Sequence, residues 1–121
     1  MANNTMQSVT VYDTSTEMTF YVIPDPYQQF FIVRDKFNFF LVPTDCTFQP
    51  SNFEELEQFI FSFNKYHNIE LSKISFDGTT LAFLYTLLLN PIIPNEINVE
   101  STRLKLIQGY PQDDSQIVPS S

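Results

Sequence analysis

Imidazole and thiolate chemistry in this chain has only His67 and Cys46 to draw on, the sole histidine and the sole cysteine among 121 residues. A single histidine excludes a His-His metal pair, and a single cysteine excludes both an internal disulfide framework and a multi-cysteine zinc site. Cys46 follows Asp45, and a neighbouring carboxylate raises a thiol pKa and so weakens it as a nucleophile. Nothing in the spacing brings His67 to it. His67 falls at the end of a helical pattern, where a cationic ring complements the helix dipole.

Carboxylates are the remaining candidates. Glu54, Glu55 and Glu57 lie in the opening turns of that helix, where the dipole favours negative charge and the geometry spreads them over a solvated face. No D-x-[DN]-x-[DN]-G loop organises them for calcium. Asp113 and Asp114 fall in a polar C-terminal stretch, and Gly78 and Gly109 stand alone, so no glycine-rich phosphate loop exists. We therefore assign no catalytic residue, no cofactor site and no metal ligand, and expect a chain that is not an enzyme.

The charge balance narrows the partners. Six Lys+Arg against fourteen Asp+Glu give a formal net charge of −8. No basic run is present, which argues against direct nucleic-acid binding and against docking on an anionic membrane. Acidity favours a basic protein partner. The N-terminal Met-Ala-Asn-Asn has no signal-peptide character, and the longest apolar stretch, Leu81 to Leu89, is far short of a membrane span. With one cysteine the expected compartment is the reducing cytoplasm.

These residues must be positioned by elements that the patterning predicts. Val9–Asp13, Met18–Ile23, Gln29–Arg34 and Phe37–Val42 read as four strands, separated by turn residues at 13–16, by Pro24-Asp25-Pro26 and by Asp35-Lys36. Leu71–Phe76 reads as a fifth. Ser51-Asn52-Phe53-Glu54 has the form of a capping box, and Phe53, Leu56, Phe59, Ile60 and Phe63 recur at helical spacing over 52–66. A second helix, apolar nearly all round, is expected over 80–89. Residues 98–108 are ambiguous, with a third helix as one reading. Residues 1–109 make one compact domain and 110–121 a polar, acidic tail.

The fold class that follows is α+β, an antiparallel sheet of four or five strands built mostly from residues 8–42 and packed by two or three helices. The run Phe39-Phe40-Leu41-Val42 with Asp45, Thr47-Phe48 and Pro50 before a helix resembles a small cyanobacterial transcriptional coactivator family with a Tudor-like domain. That resemblance implies the alternative architecture, a small bent SH3/Tudor-like barrel with a helical appendix. The arginine-rich helix that follows in that family is missing here.

For function, the missing chemistry and thirteen Phe with six Tyr point to a non-enzymatic adaptor or regulatory protein working through protein–protein contacts. The alternative is an acidic inhibitor or DNA mimic of the phage anti-defence type, occupying a basic groove of a nucleic-acid-binding protein. Helical arithmetic places Phe61 off the apolar stripe, beside Glu54 and Glu57, as an exposed protein-binding anchor. In the strand pair, Phe30 and Ile32 oppose Phe31 and Val33, and Phe39 and Leu41 oppose Phe40, so both faces are apolar. One helix covers one face. Phe31 and Phe40 are accordingly expected to be covered by the second helix or to line a homodimer or partner interface.

Overall fold

The structure, a computed structural model, describes residues 6–25, 27, 29–36, 38–44, 48–71, 76–90 and 92–108. Four strands open the chain: β1 (Gln7–Asp13), β2 (Thr16–Asp25), β3 (Phe30–Arg34) and β4 (Phe39–Pro43). Two helices follow, α1 (Phe53–Tyr66) and α2 (Gly78–Leu89), then β5 (Glu96–Asn98) and α3 (Glu100–Ile107). The strand order is β4-β3-β2-β1-β5, antiparallel throughout except that β5 runs parallel to β1. This is an α+β fold with an open sheet, and no barrel closes among the described residues. The fifth strand is Glu96–Asn98; of the stretch predicted as one, residues 72–75 lie outside the described residues.

Strand alternation sets the two faces. Val9, Val11, Phe20, Val22, Phe31, Val33, Phe40 and Val42 form the inner face and are buried. α2 lies over this face, with Phe83 stacked on Phe20 at 4.9 Å between ring centroids. Its apolar circumference is buried on nearly all sides, as its lack of a polar face requires. β2 does not stop at Pro24 as its sequence suggests. β1 pairs with it only as far as Val22, so beyond that point the missing N–H of proline takes no bond from that ladder.

The α1 cap is displaced by one residue from the predicted box. Asn52, not Ser51, is the N-cap and accepts from the Glu55 N–H at 2.8 Å. Glu55, not Glu54, reaches back, its carboxylate accepting from the Ser51 N–H at 2.9 Å and from its hydroxyl at 3.0 Å. These bonds hold the Glu55 carboxyl below its usual pKa. Adjacent Ser-Asn and Glu-Glu pairs satisfy the same pattern in two registers, and the backbone takes the second.

α1 packs on the edge of the sheet, not only on one face. Its buried line is Leu56, Ile60 and Asn64, with Phe53, Phe59 and Phe63 half-buried on the flanks. The Asn64 amide accepts from the Leu41 N–H at 2.8 Å and donates to the Leu41 carbonyl at 2.9 Å. A strand residue sends both groups to the same side, so these are the β4 groups that point away from β3. A helix side chain thus stands where another strand would pair, and the β4 edge is closed. Phe63 is one of the five residues of the predicted core stripe. It sits instead beyond the edge, 6.1 Å from Phe30 on the outer face, with His67 5.4 Å from the same ring.

Candidate functional site

The outer face carries Ser8, Thr10 and Tyr12 on β1, Glu17, Thr19, Tyr21, Ile23 and Asp25 on β2, and Glu96 and Asn98 on β5. On the other side stand Phe30, Ile32 and Arg34 on β3, and Phe39, Leu41 and Pro43 on β4. Register aligns the β2–β4 residues in three rows: Tyr21-Arg34-Phe39, Ile23-Ile32-Leu41 and Asp25-Phe30-Pro43. The third row is dry on its β3–β4 side, because α1 wraps over it with Phe63 and His67. The first row is open. Phe39 is 50% exposed and Tyr21 38%, and Arg34 stands between them, exposed. Ile23 and Ile32 are half-buried in the row between.

Toward β1 and β5 the same face turns polar and acidic. Tyr12 lies opposite Glu17 on β2 and Asn98 on β5, and Glu96, two residues before Asn98, is the β5 partner of Thr10. The negative charge of Glu96 is the first cause that pushes the Tyr12 phenol above its usual pKa, with burial and Glu17 adding to it. Arg34 makes no ion pair among the described residues. The face therefore has an acidic part, an aromatic part and a cation in the middle of the aromatic part.

The predicted contact residues separate into two groups, neither of which is this patch. Phe31 is 5% exposed and Phe40 1% exposed, so they are core residues of the inner face under the molecule's own helices and not part of a surface. On the opposite side of the β3–β4 hairpin Phe30, Leu41 and Pro43 are buried as well, and the part left exposed is Arg34 with Phe39. Glu54, Glu57 and Phe61 share one side of α1, but Phe61 is half-buried, its ring 5.8 Å from that of Phe76. Phe76, from the segment leading into α2, covers what helical arithmetic left open. The sequence did contain the missing signal: strict alternation places Phe39 opposite Phe40, and a face wrapped at one end by a helix leaves its other end wet.

Other clusters are structural. Asp13, 3% exposed, accepts from the Thr79 hydroxyl at 2.7 Å and from Arg103 Nε at 2.5 Å, both at Oδ2. The Arg103 hydrogen bond is the main reason its carboxyl is held below the ordinary range, and the same bond raises the guanidinium. Gly78 lets the arginine stem cross the start of α2, since a Cβ there would stand 3.3 Å from Arg103 Cδ and 3.4 Å from the Phe53 ring. His67 is the C-cap of α1 and its ring packs against Phe30, Phe63 and Tyr66. Cys46 and Asp45 lie outside the described residues. A cavity of about 480 Å³ beside α2 and α3 is walled by Tyr85, Leu89, Ile97 and Leu106 with Thr102 and Lys105, and among the described residues no carboxylate lines it. No described helix is long and apolar enough to cross a membrane. The chain matches no protein-family model, no curated protein and no solved structure.

Proposed function

We propose that this protein is a small contact module of the cytoplasm, an adaptor or regulator that works by docking the outer face of its sheet on another protein surface and not by catalysis. The observation that carries this reading is the open row Tyr21-Arg34-Phe39. Leaving large aromatic surface in water forgoes roughly 1.5–3 kcal/mol for each fully exposed side chain. Aromatic residues and arginine are also the types that carry binding energy at interface centres. Sheet edges are poorer candidates for docking, because α1 closes β4 and β5 is only three residues long.

The test is a photo-crosslinking residue placed at position 39 and, separately, at position 54 on α1, followed by identification of the joined protein. Capture from position 39, together with loss of binding and unchanged stability in Phe39→Ser, supports the reading. Capture only from position 54, abolished by raising salt, favours the acidic-inhibitor alternative, in which carboxylates and not the aromatic row make contact.

A further inference from the structure

We propose that the cavity between α2 and α3 is a binding site for a small amphiphilic anion, an apolar chain or ring bearing one acidic headgroup. Ile97 forms part of its wall and pairs with Val11 of the inner face, so the cavity lies on the helix side of the sheet, away from Tyr21, Arg34 and Phe39. Its occupancy does not depend on what the outer face docks. α2 is apolar nearly all round and needs cover on every side. Phe83, Leu84, Leu87 and Leu88 have it. Tyr85 and Leu89, four residues apart and so on one helix face, do not: Tyr85 is half-buried, Leu89 is 45% exposed, and both open on the cavity. α3 faces them with Thr102, Lys105 and Leu106, which share a face by the same spacing. At about 480 Å³ the space falls within the roughly 300–1,000 Å³ of small-molecule sites.

The walls are anchored outside the cavity. Arg103 fixes α3 through its ion pair with Asp13, and β5 is fixed by backbone bonds from Thr10 to Asn95 at 3.0 Å and from Val99 to Tyr12 at 2.8 Å. At the rim, the Glu55 carboxylate holds Ser51 through two bonds. A site built in advance costs its ligand little in ordering. The lining then selects the occupant. Lys105 is the one charged side chain in the wall among the described residues, in a chain whose net charge is −8. Ser51 and Thr86 have committed their hydroxyl protons, to the Glu55 carboxylate at 3.0 Å and to the Phe83 carbonyl at 2.6 Å, and cannot donate them to a ligand. A headgroup that accepts hydrogen bonds therefore settles at the Lys105 ammonium, with its apolar body along Tyr85, Leu89 and Leu106. A cationic headgroup would meet like charge there.

Decanoate is the probe, titrated to about 5 mM into the full chain at about 150 mM salt, which screens the net charge. Decyltrimethylammonium is its cationic counterpart, and methyl NMR of the protein reads both place and affinity. Half-saturation below about 1 mM is expected, with intermolecular NOEs from decanoate to the methyls of Leu89, Ile97 and Leu106. Decanoate should bind about threefold to fivefold tighter than the cation, and Lys105→Glu should reverse that order. Thr102→Phe fills the space and should weaken both ions about tenfold, with a urea midpoint close to that of the parent chain. A titration that shows no binding by about 5 mM overturns the proposal, as do NOEs confined to residues outside the cavity. So does a parent chain that prefers the cation, or a Lys105→Glu protein that still prefers decanoate.

Discussion

At the β4 flank the sheet is closed by a neutral amide, Asn64, whereas beyond the other end of β1 it is tied down by an ion pair, Asp13 with Arg103. Both are buried polar ties between a helix and the sheet. The amide is fully buried and meets three backbone groups: the Leu41 N–H, the Leu41 carbonyl and, at 2.7 Å, the Ile60 carbonyl. Asp13 is equally deep, but the side chain of its partner Arg103 keeps 24% of its surface in water. The amide has no charge to desolvate and replaces bonds that a strand would make. The ion pair must offset the cost of removing a carboxylate from water, and it does so with a guanidinium and a threonine hydroxyl on one oxygen. Closing an edge asks for backbone geometry, which an amide reproduces; anchoring α3 to a strand end asks only for attraction.

Removing the amide should have the largest effect. Asn64→Ala leaves buried donors and acceptors of β4 without partners, and the expected loss is about 3–5 kcal/mol in urea denaturation. Asn64→Asp separates the two roles of the side chain, since it can still accept from the Leu41 N–H but sets a carboxylate against the Leu41 carbonyl. A variant as stable as the parent would show that the β4 edge does not depend on this pairing.

Asp13→Ala comes next, at roughly 3 kcal/mol, the lower end for a broken buried pair because Arg103 can turn to water. Only this tie responds to pH. The folded-state pKa of Asp13 lies below its unfolded value of about 3.9, so its contribution is complete above that value and disappears as the pH falls through the folded pKa. The parent chain should therefore lose stability on acidification more steeply than Asp13→Asn, and Asn64→Ala should keep the parent's slope. Equal slopes for parent and Asp13→Asn would remove the ion pair from the comparison.

Phe63→Ala should cost less, about 1–2 kcal/mol, because the ring is only half-buried where α1 wraps over Phe30. Full burial at the centre of the core would give more than twice that. The smallest effect is electrostatic and local. Glu96→Gln should bring the Tyr12 phenol down toward about 10, read from phenolate absorbance, with little change in the urea midpoint.

The parts of this structure that depend on short-range order were legible in the sequence. Alternation in β1–β4 and the 3.6-residue recurrence in α1 gave the right elements, because each depends on neighbours within a few residues. α2 was legible from its apolar run, broken only by Thr86, and Asp77 caps it through the Thr80 N–H at 2.7 Å. The longer-range parts were not. β5 is three residues, Glu-Ile-Asn, and becomes a strand because Thr10 N–H and Tyr12 C=O find Asn95 and Val99 across the sheet. Asn64 was passed over as a polar position, although it falls four and eight residues after Ile60 and Leu56 on the buried line. A hydrogen-bonding side chain on an otherwise apolar stripe is the trace such a tie leaves in sequence. The partnership of Asp13 with Arg103 spans ninety positions and leaves no local trace at all.

That separation bears on how the molecule is assembled. The hairpins from β1 to β4 join residues close in sequence and can form as the chain emerges, and α1 can then close the β4 edge. The β1 flank has to wait. Gln7 is held through its side chain by the carbonyls of Ile93 and Pro94, and Asp13 by Arg103, all supplied by residues that follow α2 in the chain. Until they arrive, a growing chain presents an unpaired strand edge and a carboxylate at its end with no cation beside it, the kind of transient edge at which nascent sheets join wrongly. Of the four antiparallel strands, the one made earliest is the last to be enclosed.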